Sequence, residues 1–438
     1  MCSFLHENKI KCMIITFLLA VFCLVSRGLI LLHFAPDSFE EEQSIKTVKT
    51  SDDYRYAVRF QRVLNDSRYK NFKAMYEPEL SCAIPGLSGT NVLGGNCTGM
   101  VPQGLCFCED YMLVSAYDCG RDGKRQHSVL YVISNSEEGE RAYLATIVLP
   151  DVNHVGGLAY DGKYVWIAKS SDKSCSAVEK KMIDEAIMQG KESCEVRYAA
   201  TVDCGVTASF LTFYDDRLWV GTFARSDKRA GLLTSFSIGE KDGAPILEKV
   251  NELTLPCYAN GVNIEKYDGK VCMAVVSSYS RVKDSTVYIY ELKDDDTKDI
   301  EKIYRGRHRF PPMGEETACD GKNVYFLFES AAACYSEDGR VKCSSPVDRV
   351  CAVSMQELYF GSDLTVCRTY AGMPQVPEII MYEDEGLSDK SVAVLISRGR
   401  RSVRKAVLRY TDKAPGFCSA SSRRLLRHPL QWGSKAVT

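Results

Sequence analysis

Short runs of alternating apolar and polar residues recur at a regular interval along the middle of this chain. Each run starts with glycine or small polar residues, continues as a first alternation, turns at Asp, Glu and Gly, and resumes as a second alternation. The central starting residues lie 53, 52, 52 and 54 residues apart, at Gly104, Gly157, Ser209, Gly261 and Glu315. A repeat of this length predicts one supersecondary unit that is used several times.

Each repeat has the pattern of four short antiparallel strands. The first two strands form a hairpin, and large apolar residues alternate on the second strand, as at Val165 and Ile167. Third strands are predicted at 128–134, 231–238 and 285–292, and fourth strands at 143–150, 250–256 and 300–306. The pattern predicts an all-β fold, a β-propeller with five clear four-stranded repeats and five or six blades. Glycines at the strand starts are expected where strands approach closely near the axis.

Some segments depart from this plan. Residues 176–191 have helical periodicity and predict a helical insertion in the second repeat. Residues 54–72, "YRYAVRFQRVLNDSRYKNF", also look more helical than extended. Candidate strands at 81–87, 347–353 and 364–370 would complete a last blade from both ends of the chain. Such a pairing closes the ring and removes its exposed edges.

The N-terminal 35 residues form a separate segment. Lys9 and Lys11 precede an apolar run from Cys12 to Ser26, and a second apolar piece follows Arg27. A short run behind basic residues is typical of a signal peptide, whereas the two pieces together are long enough to span a bilayer. We favour an uncleaved anchor in the membrane through residues 12–35, with the following domain extracytoplasmic, or secreted if the signal is cleaved.

The predicted domain boundaries follow from these segments. They are a signal peptide or signal anchor (1–35), a linker or helical stalk (36–79), the β-propeller (80–368) and a basic C-terminal tail (369–438). Basic residues concentrate in the tail at 398–410 and 421–432. The tail is either a solvated terminus or a docking segment for an anionic membrane or wall polymer.

Composition narrows the choice of partner. The chain has 438 residues, is 45% hydrophobic and carries a formal net charge of −2, so no strong overall field attracts nucleic acid. It contains 19 cysteines, of which three lie in or before the apolar N-terminal run. The other 16 could form disulfides if the domain is exported, because exported proteins fold in an oxidising environment. Cys175–Cys194 and Cys334–Cys343 are plausible pairs because each flanks a short excursion, and buried free cysteines are an equal alternative.

Candidate chemistry lies where the repeats converge. The sequence contains no P-loop, no Gly-x-Ser-x-Gly elbow, no His-Glu-x-x-His motif and no dinucleotide-binding loop. In a propeller, the residues just before each innermost strand gather at one end of the central channel. Those positions carry polar side chains: Gln103, Asn153, His154, Thr207, Asn260, Asn263, Glu315 and Glu316.

Two interpretations of this polar set remain open. Amide and carboxylate oxygens suit a hard cation such as calcium, with Glu315, Glu316 and Asn260 as ligands and His154 as a general base. Alternatively, the same groups cap strand ends or hold channel water. The basic segment 305–309, "RGRHR", would make the mouth cationic and favour anionic sugars if it lay there.

Three stretches resemble bacterial secreted or membrane-anchored six-bladed propellers of the TolB-like type. They are "MVPQGLCF", "HVGGLAYDGKYVWIA" and "PPMGEETACDGKNVYFLFESAA", and the resemblance covers about residues 80 to 368. It implies a propeller but no single activity, because such folds include sugar-lactone hydrolases, calcium-dependent esterases and binding scaffolds. The calcium-dependent enzymes also have an acidic ligand from a middle blade, where this chain has Thr207 and Asn260.

Two functional hypotheses follow. The first is a membrane-anchored extracytoplasmic propeller that binds a glycan, a small ligand or a protein, without a certain cofactor. The second is a calcium-dependent hydrolase of lactones or esters that uses the channel mouth. The sequence does not decide whether the protein is an enzyme.

Overall fold

Five four-stranded sheets are arranged around one axis in the computed structural model of this protein. The structure describes residues 54–361 except 91, 94–96, 136–140, 153, 226–228 and 295–299. The predicted anchor at 12–35, the tail at 369–438 and the candidate strand at 364–370 therefore lie outside the described residues. Within the described part, no helix combines the length and the apolar character needed to cross a membrane.

The strands of each blade follow one another from the axis outwards. Blade 1 contains β2 (Met100–Cys108), β3 (Tyr111–Asp118), β4 (Val129–Ser134) and β5 (Tyr143–Val148). Blade 2 contains β6 (Leu158–Tyr160), β7 (Tyr164–Lys169), β8 (Ser174–Glu179) and β10 (Ala200–Asp203). Blade 3 contains β11 (Phe210–Tyr214), β12 (Arg217–Thr222), β13 (Gly231–Lys241) and β14 (Ala244–Leu255).

The last two blades follow the same order, with one change of chain connectivity. Blade 4 contains β15 (Ala259–Tyr267), β16 (Lys270–Ser277), β17 (Ser285–Asp294) and β18 (Ile300–Phe310). Blade 5 contains β19 (Gly314–Cys319), β20 (Asn323–Phe328), β21 (Arg349–Ser354) and, outermost, β1 (Cys82–Ala83) from the N-terminal side. Each innermost strand contacts the innermost strands of both neighbouring blades, and β19 contacts β2, so the ring is closed.

The propeller predicted from the repeat is confirmed, and it has five blades. The innermost strands begin within four residues of the predicted starts, at 100, 158, 210, 259 and 314. The predicted closure from both ends of the chain occurs in the fifth blade, not in a sixth. Cys82 and Ala83 pair with Val350 and Arg349, which makes β21 the third strand of blade 5.

The core consists of five apolar clusters, one at each interface between neighbouring blades. Successive residues of a strand point to opposite faces of the sheet. Each blade therefore packs one set of alternate apolar side chains against the blade before it and the other set against the blade after it. In β3, for example, Met112 and Val114 pack towards blade 5, whereas Leu113 packs towards blade 2. The fold is therefore stabilised mainly between the sheets, as in other radial arrangements.

Two helices precede the propeller and pack against it. These are α1 (Ala57–Asn65) and α2 (Lys70–Met75), joined by a 3₁₀ turn in which the Asp66 carboxylate accepts a hydrogen bond from the Arg68 amide at 2.9 Å. Their apolar residues, including Phe60 and Phe72, join the cluster between blades 4 and 5. The helical prediction for this segment is confirmed.

The helical insertion predicted in the second repeat is also present. After β8, the chain forms α3 (Lys180–Met188) and the short strand β9 (Ser193–Glu195) before it returns to blade 2 as β10. β9 pairs in parallel with β5, so the insertion connects blade 2 to the outer edge of blade 1. Two shorter helices, α4 (Ala333–Ser336) and α5 (Met355–Phe360), belong to blade 5.

The basic segment 305–309 does not lie at the channel mouth. It is part of β18, the outermost strand of blade 4, and pairs with β17. His308 is buried there, with Nε2 2.9 Å from the carbonyl oxygen of Leu358. The expectation that this segment makes the channel mouth cationic is therefore wrong. Its alternating residues form part of the outermost strand of the blade and not a loop at the mouth.

Candidate functional site

Polar residues meet at one end of the central channel, where the innermost strands begin. We call this end the channel mouth and define it by Gln103, His154, Asn260 and Glu315. Because β2, β15 and β19 run antiparallel to the next strand, residues that follow each second strand lie at the same end. In each blade, the mouth is therefore lined by residues at the start of the innermost strand and by residues at or after the end of the second strand.

β-Bulges place the polar side chains at the starts of three innermost strands. The pairing of β2 with β3 shifts at Gln103, that of β15 with β16 shifts at Asn260, and that of β19 with β20 shifts across Glu315 and Glu316. A bulge inserts an extra residue and re-aims its side chain relative to the regular pleat. This explains how the adjacent residues Glu315 and Glu316 both reach polar partners near the axis.

Glu316 lies inside the ring and is fully buried. Its Oε1 accepts hydrogen bonds from the amides of Thr317 at 3.0 Å and Val262 at 3.2 Å, and its Oε2 accepts one from the Leu211 amide at 3.4 Å. One carboxyl group thus connects the innermost strands of blades 3, 4 and 5. Burial raises the pKa of Glu316 well above its ordinary value, and the three amide donors oppose that rise.

Two glycines make room for the Glu316 carboxyl. A Cβ atom added at Gly157 would lie 2.6 Å from the Leu211 amide nitrogen, and still closer to Oε2 of Glu316. A Cβ atom at Gly261 would lie 2.7 Å from both Oε1 and Cα of Glu316. Glycine is therefore required for close approach at these positions, as the pattern of the repeat predicted.

Glu315 and Glu329 form a hydrogen-bonded carboxyl pair at the mouth, and both are mostly buried, with a small part of each residue exposed. The Gln103 amide donates to Oε2 of Glu329 at 3.1 Å and to the Pro102 carbonyl oxygen at 2.9 Å. Burial raises the pKa of Glu329 to about 7. Burial, and then the neighbouring Glu329 charge, raises the pKa of Glu315 well above its ordinary value. The pair therefore retains at least one proton near neutral pH.

Aromatic residues extend the site on one side of the carboxyl pair. The hydroxyl of Tyr335 hydrogen-bonds to Glu329, and it lies 3.3 Å from the hydroxyl of Tyr117. The ring of Tyr117 lies against that of His154, with centroids 4.3 Å apart. Burial, and then the charge of Arg125, lowers the pKa of His154, so the imidazole is neutral at pH 7. Its buried Nδ1 has no hydrogen-bond partner among the described residues.

A second aromatic group, which we call the aromatic platform, consists of Phe223, Tyr258 and Tyr279. Tyr258 and Tyr279 stack with centroids 4.4 Å apart, and Phe223 lies 6.2 Å from Tyr258. Tyr279 is 52% exposed. Tyr258 has a φ of 61°, a left-handed conformation that costs a bulky residue on the order of 1–3 kcal/mol. Residues held in this way cluster at ligand sites.

The position of Arg281 shows where the platform lies relative to the carboxyl pair. It lies two residues after Tyr279, and its guanidinium carbon is 4.8 Å from the centre of the Tyr335 ring. Its Nη1 donates to the carbonyl oxygens of Val341 at 2.9 Å and Asp338 at 3.3 Å. Both features therefore lie on one face of the propeller.

The structure brings together only part of the set predicted from sequence. Gln103 and Glu315 meet at Glu329, and His154 lies beside them through Tyr117. Asn260 donates through Nδ2 to the carbonyl oxygens of Ser278 at 3.2 Å and Gly314 at 3.4 Å. Thr207 supplies a carbonyl oxygen to the Thr222 hydroxyl at 2.7 Å. Asn153 lies outside the described residues.

Asn263 does not lie at the mouth. It is buried within β15, and its Nδ2 donates to the Tyr359 hydroxyl at 3.2 Å. The expectation was wrong because Asn263 is four residues beyond the start of the strand, where the side chain packs between blades. Sequence reasoning also missed Glu329, Tyr335 and Tyr117. Their signal was position: Glu329 and Tyr335 follow β20, the second strand of blade 5, and Tyr117 lies near the end of β3, the second strand of blade 1, so all three return to the same end of the channel.

The arrangement bears on the calcium hypothesis. Both oxygens of Glu316 face amide N–H groups, whose positive ends disfavour a cation, so this carboxylate does not fit as a calcium ligand. Among the described residues, no group of three or more His, Cys, Asp or Glu side chains is arranged to hold a metal ion. Glu315 and Glu329 are the carboxyl groups that the mouth presents to solvent.

Neither cysteine pair expected from sequence forms a disulfide among the described residues, where the cysteines are free as in the alternative interpretation. The Cys175 sulfur lies 3.4 Å from that of Cys204, and not beside Cys194, whose Sγ faces the Glu195 carbonyl oxygen. Cys334 makes a side-chain hydrogen bond with Cys119 of blade 1. The sequence does not show which cysteines lie close together, because that depends on how the strands pair.

Comparison with known proteins identifies no family for this chain. No family model matches the sequence, and no curated protein matches it. Similar solved structures include a Myxococcus xanthus glutaminyl cyclase, with 13% identity and a TM-score of 0.35 over 59% of this chain and 91% of that one. A nidogen/laminin complex has 13% identity and a TM-score of 0.31 over 53% of this chain and 74% of that one.

A third similar structure is a putative 6-phosphogluconolactonase from Bacteroides fragilis. It has 14% identity and a TM-score of 0.29 over 53% of this chain and 63% of that one. Likenesses at this level carry no argument about activity. The propeller architecture expected from the resemblance is present in the structure of this chain itself, and its ring has five blades instead of six.

Proposed function

We propose that this protein is a binding propeller that recognises a glycan or another small polyhydroxylated ligand at the channel mouth. The observation that carries the proposal is the partly exposed carboxyl pair of Glu315 and Glu329, held in place by Gln103. A carboxyl pair that holds one proton both donates and accepts hydrogen bonds. Hydroxyl groups, which also do both, are its natural partners.

The aromatic platform supports a sugar as the ligand class. Sugar rings have apolar C–H faces that pack against aromatic rings, while their hydroxyl groups need polar partners at the edge. The exposed ring of Tyr279 supplies such a face on the same side of the propeller as the carboxyl pair. The strained backbone at Tyr258 supports the same assignment, because it holds the stacked rings in one orientation.

Binding to a glycan array tests the proposal. Wild-type protein is expected to bind at least one class among neutral, amino-sugar and uronic-acid oligosaccharides. Glu329→Gln and Tyr279→Ala are each expected to weaken that binding about tenfold or more, because each removes one recognition element. Glu248→Gln on the exposed outer strand of blade 3 and Tyr160→Ala at the far end of β6 serve as matched controls. No binding by the wild type, or equal binding by all variants, contradicts the proposal.

A second candidate is hydrolysis of a lactone or an ester at the same pair. The pKa of Glu329, about 7, favours it, because a general acid–base works best near the operating pH. The assay is hydrolysis of a series of sugar lactones and aryl esters, with and without calcium. An enzyme should lose about a hundredfold or more of its rate in Glu329→Gln. A wild type that hydrolyses none of these compounds removes this candidate.

We also propose that residues 12–35 anchor the protein in a membrane with the propeller on the extracytoplasmic side. The support is the apolar run behind Lys9 and Lys11 in the sequence. Protease added to intact cells should digest the propeller, whereas a cytoplasmic marker protein should survive. Protection of the propeller until the cells are lysed would reverse this orientation.

A further inference from the structure

The sulfur atoms of Cys175 and Cys204 meet in blade 2, away from the channel mouth. Cys175 lies in β8 and is fully buried, while Cys204 directly follows β10 and is 7% exposed. The two sulfurs are 3.4 Å apart. No disulfide joins two cysteines within the described part of the chain.

The backbone around this pair is already fixed. β8 and β10 are antiparallel, with Val202 opposite Cys175 and Asp203 opposite Ser174. The amide of Cys204 continues the ladder with a 2.8 Å hydrogen bond to the Lys173 carbonyl oxygen. A disulfide has sulfurs about 2.0 Å apart, so the sulfurs need to approach by only ~1.4 Å.

From this geometry we propose that Cys175 and Cys204 form a disulfide that closes the base of the helical insertion. The insertion comprises α3 and β9, which leave blade 2 after β8 and return to it through β10. The link joins the two strands that carry the insertion, and β9 itself pairs with β5 of blade 1. The covalent bond would therefore fix the connection between two blades at the outer edge of the ring.

The two thiols have different roles in the oxidation. The hydrogen bond with Cys175 lowers the pKa of Cys204, whereas that hydrogen bond and burial raise the pKa of Cys175. Cys204 is also the more exposed sulfur. It is therefore the thiolate that attacks an external disulfide such as glutathione disulfide, which breaks the glutathione S–S bond and releases one glutathione thiolate.

The second step completes the exchange. The Cys175 thiol gives its proton to the departing thiolate or to water, and its sulfur attacks the Cys204 sulfur of the mixed disulfide. The second glutathione leaves as a thiolate and takes up a proton. Two cysteine thiols are oxidised by two electrons, and one glutathione disulfide is reduced to two glutathione thiols.

The test is thiol mapping of the full chain in glutathione buffers, from fully reduced to fully oxidised. Free thiols are blocked with an alkylating reagent under denaturing acid quench, and peptides are identified by mass spectrometry. A peptide pair linked through Cys175 and Cys204 is expected under oxidising conditions and should disappear on reduction. Alkylation of both cysteines at every glutathione ratio, or a link from Cys175 to Cys194, would overturn the proposal.

Melting measurements on variants provide an independent test of the closing role. The oxidised wild type should melt about 5 °C above the reduced protein, because the link closes a loop of 29 residues. Cys204→Ser should abolish this difference, while Cys194→Ser, within the same loop, should retain it. If Cys204→Ser keeps the full difference, another cysteine pair causes it and the closing role is wrong.

Discussion

The carboxyl groups of Glu315 and Glu329 hydrogen-bond to each other across the first hairpin of blade 5. One lies in the bulge at the start of β19 and the other directly follows β20, so the antiparallel hairpin brings both to the channel mouth. Two like charges at this separation cannot both persist without a large cost. The pair is therefore the titrating element of the site.

The stability of the protein should fall as pH rises through the range of this pair. The folded-state pKa of Glu329, about 7, lies above the ordinary value of 4.5, so folding takes up a proton between these values. The contribution is fully present below pH 4.5 and is lost as pH rises through 7, with a loss on the order of 3 kcal/mol. Thermal melting between pH 4.5 and 8.5 measures this effect.

Glu329→Gln should flatten this pH dependence, since it removes one of the two titrating groups and keeps a hydrogen-bonding side chain. Glu248→Gln, an exposed substitution on β14, should leave the wild-type profile unchanged. If both variants retain the fall in melting temperature above pH 5, the Glu315–Glu329 pair is not its cause.

Glu316→Gln should destabilise the fold by about 1–3 kcal/mol. Both carboxyl oxygens of Glu316 accept amide hydrogen bonds, and an amide nitrogen in place of Oε2 cannot accept the one from Leu211. Denaturant unfolding measures the loss, and Glu315→Gln is the control at the neighbouring residue. Glu315→Gln should cost less, because a glutamine there still hydrogen-bonds to Glu329.

The loss caused by Glu316→Gln should be the same in millimolar calcium and in chelator. The reason is that both oxygens of Glu316 already accept amide hydrogen bonds, and the positive ends of these N–H groups disfavour a cation at the same place. A ligand that binds only the folded state raises its melting temperature. A calcium-dependent rise in the wild type that Glu316→Gln abolishes would show that this carboxylate binds the ion after all.

The fold was largely predictable because its main signal is periodic. A step of 52 to 54 residues located all five innermost strands, and the alternation within each step located most of the others. In blade 2, however, residues 176–179 of the expected helical insertion form the end of β8, and β10 was not predicted. The blade number was harder to predict because β1, which closes the ring, has only Cys82 and Ala83. Strands are predicted at 81–87 and 347–353, but the sequence does not show whether they complete the fifth blade or form a sixth.

The candidate site was predictable only in part, since it depends on where side chains point. Glu315 and Glu316 are adjacent, and the sequence does not reveal that one faces the mouth while the other faces buried amides. That division depends on the bulge in β19. Glu329 was missed because it follows an apolar strand in sequence and reaches Glu315 only through the hairpin.

Gly157→Ala should be among the most disruptive single-methyl substitutions in the ring. The added Cβ would lie 2.6 Å from the Leu211 amide nitrogen and would displace the Glu316 carboxyl from its donors. We expect a loss of about 3 kcal/mol, from overpacking together with unsatisfied amides. Denaturant unfolding measures this loss in the free energy of unfolding.

Gly162→Ala is the matched control in the same blade, because its Cβ meets nothing within 4 Å although its φ is 95°. That control should lose only about 1 kcal/mol, from backbone strain alone. Equal losses for the two variants would mean that steric approach at the axis is not what requires glycine at position 157.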